Sequence, residues 1–225
     1  GLQLEPNHVK SLQKRALLND ALKNKENALN DYQTLIKIEP KEVDYYLKAI
    51  DILIKLNKNQ EALVIISDLK KIDLNNAEGA RMEAIAHLNL REFRIAIAVC
   101  ELALQNDDNK YNHFFYNCKA IAHDSLHEYN TAILAYLRAI AILKSSSSLT
   151  MSPKYQSYYV NIGFDYYRTN QFDAAIGYYN TALSLDRKEE YPPKDFEIYT
   201  KRGMAYFAKT DFPMAMFDYN KSIAI

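Results

Sequence analysis

The chain has 225 residues, of which 48% are hydrophobic and 25% are charged, a balance typical of a protein with a packed core. Lysine and arginine together number 28, as do aspartate and glutamate, and the two signs are interspersed, which excludes a basic surface for nucleic acid or an anionic membrane. Five glycines and six prolines are too few for a turn-rich β-sandwich or barrel, so the composition predicts an almost entirely helical protein.

The cysteine content and the N-terminus bear on the compartment. The two cysteines, Cys100 and Cys118, are too few for a disulfide framework, which favours a reducing compartment such as the cytoplasm. No apolar run approaches the roughly 20 residues of a membrane span, and no signal peptide is recognisable, so membrane insertion is not predicted. Because the chain begins with Gly1 rather than Met, the sequence does not establish a natural N-terminus, and the localisation stays open.

A pattern of one alanine followed by two packing residues recurs along the chain. Each alanine is followed four residues later by an aromatic or other core residue, and three further on by a small or apolar residue, so the three share one helical face. Successive alanines are 34, 34, 36, 43 and 40 residues apart. The six repeats, in chain order, are Ala28-Tyr32-Leu35, Ala62-Ile66-Leu69, Ala96-Cys100-Ala103, Ala132-Tyr136-Ala139, Ala175-Tyr179-Ala182 and Ala215-Tyr219-Ser222.

A second column of mostly small residues lies twelve positions before each of these alanines. Small residues let two antiparallel helices approach closely, so each repeat is predicted to be a helix hairpin. Short polar segments at 23–25, 57–59 and 169–171 are the predicted turns between the two helices. The second column consists of Ala16, Ile50, Ala84, Ala120, Gly163 and Gly203.

This pattern resembles the tetratricopeptide repeat (TPR) family, whose unit is a 34-residue helix-turn-helix with aromatic, Gly, Tyr, Ala and Pro residues at set spacings. The resemblance implies an all-α fold, an α-solenoid of antiparallel helix pairs that forms a TPR-like right-handed superhelix. It also implies protein binding rather than catalysis. The best match is in the fifth repeat, at Tyr159, Ile162, Gly163, Tyr166, Ala175, Tyr179 and Ala182.

The domain organisation predicted from these spacings is one continuous solenoid. Repeat 4 ends in a Ser-rich loop, repeat 5 ends in a charged loop with two prolines, and repeat 6 is truncated within its second helix. Since solenoids need capped ends, we expect a longer array or a homo-oligomer contact through the uncapped C-terminal face. The predicted boundaries are 1–8 for the tail of a preceding repeat, then 9–42, 43–76, 77–110, 111–153, 154–194 and 195–225 for repeats 1 to 6.

No catalytic residue, cofactor site or metal site is predicted. His123 and His127 have the i, i+4 spacing of a metal-binding pair, but His127 falls in a predicted turn, whereas His123 and His87 fall in a packing column. Cys100 also falls in a packing column, which indicates a buried thiol rather than a nucleophile. Neither a Gly-rich phosphate loop nor a serine-hydrolase motif occurs.

The resemblance implies that the first helices of the repeats line a concave groove that binds a partner. The apolar members of this groove would form an exposed patch typical of an interaction site, or would pack against a neighbouring helix. Cys118 is assigned to the same face. The predicted partner-binding residues are Asn117, Ile121, Val160, Asn161, Phe164, Tyr167, Arg168, Lys201, Met204 and Phe207.

The function predicted first is a non-catalytic protein–protein interaction scaffold that holds a peptide or helix in the groove. The family's chaperone-binding carboxylate clamp is not reproduced, because only Asn161 and Lys201 match single positions of it. The predicted partner is therefore an unidentified protein or peptide, with no nucleic acid and no cofactor. Two alternatives remain: a structural spacer or self-association module of a larger protein, and a regulatory arm of an enzyme whose catalytic domain lies outside this segment.

Overall fold

The computed structural model describes residues 6–105, 111–145, 156–185 and 195–225, and every regular element in these ranges is an α-helix. Most of the predicted Ser-rich loop, the charged loop at 187–194, and residues 1–5 of the predicted tail lie outside the described residues. The helices group into two compact units, Gly1–Tyr111 and Asn112–Ile225. The continuous single domain stays a prediction.

The first unit contains repeats 1 to 3, each an antiparallel helix pair. Its core is formed by apolar side chains where the helices face one another, including Tyr32, Leu53 and Ile66. The first helix begins at Pro6, three residues before the predicted start of repeat 1. The helices are α1 (Pro6–Ala21), α2 (Lys25–Ile38), α3 (Val43–Lys55), α4 (Asn59–Ile72), α5 (Ala77–Asn89) and α6 (Phe93–Ala103).

The second unit contains repeats 4 to 6, built in the same way. Its core includes Tyr136, Tyr179 and Ile198. The prediction of an all-α solenoid of antiparallel helix pairs is thus confirmed in the arrangement of each unit. The helices are α7 (Asn112–Ser125), α8 (Tyr129–Ser145), α9 (Gln156–Arg168), α10 (Phe172–Ser184), α11 (Asp195–Ala208) and α12 (Phe212–Ala224).

The two helices of every repeat are joined by the same tight turn. One residue of each turn adopts the left-handed conformation, with φ between 58° and 63°, and it always lies five residues before the repeat's alanine. The residue after it donates its N–H to a carbonyl near the end of the first helix, as from Lys58 to Leu53 at 2.8 Å. None of the six is glycine; they are Lys23, Asn57, Arg91, His127, Asn170 and Thr210.

Glycine is required where the two helices of repeat 5 cross. A Cβ atom added to Gly163 would lie 2.7 Å from Cε1 of Tyr179, whose side chain is fully buried. At the equivalent crossing in repeat 6, a Cβ on Gly203 would lie 2.9 Å from Cε1 of Tyr219, which is only half-buried. Repeat 4 has Ala120 in this column, and only the last two repeats have glycine at the crossing.

We expect Gly163→Ala to lower the free energy of unfolding by about 1–2 kcal/mol. Overpacking a core costs about 1–3 kcal/mol, which exceeds the gain of about 1 kcal/mol that alanine brings to a helix interior. Gly177→Ala is the matched control, because no atom lies within 4 Å of an added Cβ there, and it should stabilise the protein. Urea denaturation followed by circular dichroism measures both, and equal changes in the two variants would contradict the steric argument.

Candidate protein-binding groove

The first helix of repeat 5, α9, carries the aromatic residues of the predicted groove. The rings of Phe164 and Tyr167 stack with their centroids 6.2 Å apart and their planes 6° apart. The guanidinium carbon of Arg168 lies 4.5 Å from the centroid of Phe164, and Nζ of Lys201, on α11, lies 5.3 Å from it. Phe164 therefore makes cation–π contacts with two charged groups. We call Phe164, Tyr167, Arg168 and Lys201 the aromatic–cation cluster.

The two cations of this cluster differ in their partners. Arg168 Nη1 donates to Asp124 Oδ1 at 3.0 Å, so much of its charge is compensated. Lys201 forms no ion pair with a carboxylate in the part of the chain that the structure describes. A carboxylate of a ligand can therefore pair with the Lys201 ammonium group without displacing an existing ion pair.

The remaining predicted groove residues lie outside the aromatic–cation cluster. Phe207 is 58% exposed and packs edge to face against Phe212, with 5.5 Å between the ring centroids. Ile121 and Val160 pack against the core of the second unit. Asn161 donates to the hydroxyl of the buried Tyr136 at 3.0 Å, whereas Asn117 and Met204 are half-buried.

Cys118, which the sequence assigned to the groove face, is only 2% exposed, so its thiol is not accessible to a partner. Cys100 is fully buried, in the packing column where the sequence placed it.

A buried carboxyl group next to the cluster was not predicted. Asp165 is 1% exposed, and its Oδ2 atom has no hydrogen-bond partner among the described residues. Burial, followed by the charge of Asp124 and a hydrogen bond with it, raises the pKa of Asp165 to about 8, and Arg168 only partly opposes this. Asp165 is therefore mainly protonated at neutral pH.

The histidines singled out in the sequence lie at turns and packing positions. Nδ1 of His123 lies 2.6 Å from Glu128, and Nδ1 of His87 lies 2.6 Å from Glu92, so both rings bind the start of the following helix. His127 is the left-handed turn residue of repeat 4. Within the described ranges, no three potential ligands form a metal-binding group, and no helix is long and apolar enough to cross a membrane.

Two segments of the chain match family models, both described as tetratricopeptide repeat. The matches cover residues 9–42 and 156–189, one in each unit. These two segments are tetratricopeptide repeats. The resemblance noted in the sequence is thereby confirmed at the first and fifth of the six helix hairpins described above.

Solved structures share the fold of this chain at low sequence identity. PilW, a type IV pilus biogenesis factor, has a TM-score of 0.78 at 14% identity, covering 98% of this chain and 94% of PilW. MamA from Desulfovibrio magneticus RS-1 has a TM-score of 0.68 at 16% identity, covering 81% and 97%. A tetratricopeptide repeat protein from Parabacteroides merdae has a TM-score of 0.68 at 13% identity, covering 98% and 79%. These identities establish a common fold only.

The comparisons support a general role but no specific one. No curated protein matches this sequence. Tetratricopeptide repeats generally form non-catalytic interaction scaffolds, and the family matches together with the similar structures indicate a protein–protein interaction scaffold here.

Proposed function

We propose that the second unit binds a peptide or a helix on the face formed by α9 and α11, with the aromatic–cation cluster as its principal contact. The observation that supports this is the Phe164 ring, half-buried and held between Arg168 and Lys201. Aromatic and arginine side chains contribute most of the binding energy at protein interfaces when a partner covers them. A ring already fixed by two cations also loses little conformational entropy on binding.

The chemistry of the cluster defines what a ligand must offer. An apolar or aromatic side chain fits against Phe164 and Tyr167, and the nearby half-buried Met204 adds a deformable apolar contact. A carboxylate next to that side chain would pair with Lys201, which lacks an ion pair among the described residues. The favoured ligand is therefore a short acidic motif with an adjacent apolar residue.

Selection of peptides from a phage-displayed library on the 225-residue chain tests this proposal. We expect enriched peptides to combine an acidic and an apolar residue, and we expect Phe164→Ala and Lys201→Ala each to weaken binding about tenfold or more. Leu134→Ala is the matched control, because Leu134 is 68% exposed on α8 and lies outside the cluster. Unchanged affinity in the Phe164 variant, with helicity preserved in circular dichroism, would contradict the proposed site.

A further inference from the structure

The last repeat exposes an apolar face whose counterpart in repeat 5 is covered. Met216 is 61% exposed, whereas Ile176, one repeat earlier in the same column, is 9% exposed. Ile223 is 84% exposed, whereas Leu183 in its column packs against the core. The difference arises because α11 packs on α10, while the described residues place no helix on α12 in this position. We call Met216, Tyr219 and Ile223 the trailing face.

The first repeat exposes an apolar residue at a position that is buried between neighbouring repeats elsewhere in the chain. Leu18 is 59% exposed, but the residues in its column in repeats 2 and 6, Ile52 and Ala205, are at most 1% exposed. Leu22, one turn further on, is 61% exposed. Ile52 shows that a branched side chain of this size can be buried at a junction between repeats. We call Leu18, Leu22 and Arg15 the leading face.

The junction between repeats 5 and 6 also has a polar signature. Arg202 forms a bidentate pair with Asp218 of its own repeat, at 2.8 and 2.6 Å. Its Nη1 atom donates at 2.5 Å to Oδ1 of Asn180, which belongs to the preceding repeat. The Arg202 side chain, which is 13% exposed, is thus bound at the junction by Asp218 of its own repeat and Asn180 of the preceding one.

The same combination of arginine, aspartate and asparagine occurs at the two uncovered faces. Of the six repeats, only the first and the last have an arginine and an aspartate at these positions, and Arg15 pairs with Asp31 as Arg202 pairs with Asp218. Only repeats 5 and 6 have an asparagine in the column of Asn180, and in repeat 6 it is Asn220. The Arg15 side chain is 66% exposed, so it can accept a further contact.

We propose that a second copy of this chain docks head to tail, with its leading face on the trailing face of the first. This junction repeats the one between repeats 5 and 6: Leu18 is buried against the trailing face, and Arg15 of the incoming copy donates to Asn220. Since the two faces differ, the contact is heterologous, and each molecule has one face of each kind. Association therefore continues beyond a dimer as the concentration rises. This proposal is independent of the peptide groove on α9 and α11.

Sedimentation velocity over a range of concentrations, with two variants that each block one face, tests the proposal. Leu18→Glu places a charge on the leading face and Met216→Glu places one on the trailing face, at positions exposed enough to leave the fold intact. We expect the wild type to form species larger than a dimer and each variant alone to be monomeric. An equimolar mixture of the two variants should form a one-to-one dimer and nothing larger, because only one pair of intact faces remains.

Two further variants separate this contact from other apolar association. Asn220→Ala should weaken self-association about tenfold, as the loss of a hydrogen bond to a charged group does. Leu134 is 68% exposed and belongs to neither face, so Leu134→Glu should leave association unchanged. A monomeric wild type overturns the proposal. So does dimerisation of Leu18→Glu alone, since trailing faces would then pair with each other, and so does a mixture that stays monomeric.

Discussion

Replacing Arg202 with alanine is expected to lower the free energy of unfolding of the second unit by about 3–5 kcal/mol. The variant leaves the carboxylate of Asp218, which has no solvent exposure, without the guanidinium that compensates its charge. In the native protein, Nε and Nη2 of Arg202 donate to both carboxylate oxygens of Asp218 at 2.8 and 2.6 Å. Urea denaturation measured at low protein concentration checks the loss.

The equivalent pair in repeat 1 provides a matched comparison. The Arg15 side chain is 66% exposed, and Asp31 also accepts a hydrogen bond from Asn19 at 3.2 Å. Because water can replace the guanidinium there, we expect Arg15→Ala to lower the stability much less than Arg202→Ala does. If Arg15→Ala and Arg202→Ala lowered the free energy of unfolding equally, burial of the ion pair would not determine its contribution to stability.

Repeat 5 shows how an apolar side chain fills the place of this ion pair. Its Tyr178 stacks on two other tyrosines, with ring centroids 6.4 Å from Tyr159 and 5.3 Å from Tyr166. The tyrosines at the equivalent positions of repeat 6 instead flank the guanidinium of Arg202, namely Tyr199 at 5.4 Å and Tyr206 at 6.0 Å. The same pair of rings thus accommodates either a third ring or a cation.

The double variant Arg202→Ile with Asp218→Tyr transfers the residues of repeat 5, Ile162 and Tyr178, to repeat 6. We expect it to recover most of the stability lost in Arg202→Ala, because apolar replacement of a whole buried pair is often neutral or stabilising. A double variant as unstable as Arg202→Ala would show that repeat 6 specifically requires the ion pair.

Replacing Asp165 with asparagine is expected to stabilise the second unit at neutral pH and to flatten its pH dependence. The pKa of Asp165 rises from 3.8 to about 8 on folding, so between these values the folded protein holds a proton that the unfolded chain has released. Native stability therefore falls as the pH rises from about 4 to about 8. Asparagine has the same shape and no charge to release, so we expect a gain on the order of 2 kcal/mol at pH near 7.

The groups that face Asp165 support this assignment. Asp124 and Arg168 are the charged neighbours that shift its pKa, and burial is the largest cause of the raised pKa values of Tyr136 and Tyr179, which stay neutral in this range. Thermal unfolding measured across the pH range tests the prediction. Asp173→Asn is the control, because that side chain is 83% exposed, and it should retain the native slope. If the Asp165→Asn variant kept the pH dependence of stability of the native protein, the assignment of a buried, protonated carboxyl group would be contradicted.

The repeat architecture was predictable from sequence because it depends on spacing. The columns of Ala28 and Ala16 recur six times, and hydrophobic burial requires that residues so spaced lie on one helical face. The short turns were predictable from their polar residues. Their left-handed residues, such as Arg91 and Thr210, were not, since neither residue type favours that conformation and only the closing geometry of the hairpin imposes it.

The candidate site was only partly predictable. Phe164 and Lys201 were assigned to one face by register, but the two cations around one ring depend on the distance between α9 and α11, which no spacing within a helix specifies. Asp165 lies in a column that is apolar in the other five repeats, so its residue type was the available signal of an unusual position. The sixteen-residue separation of Arg202 and Asp218 recurs in repeat 1, so this ion pair could also have been predicted from the sequence.

The uniform turn has a consequence for protein engineering. The alanine always lies twelve positions after the crossing residue, as Ala175 does after Gly163, while the distance from one repeat to the next varies. A single residue inserted into the hairpin would rotate one helix by about 100° against the other and turn its packing face away. A reporter domain or an affinity tag should therefore be grafted between hairpins, where natural variation in length already occurs, and never within one.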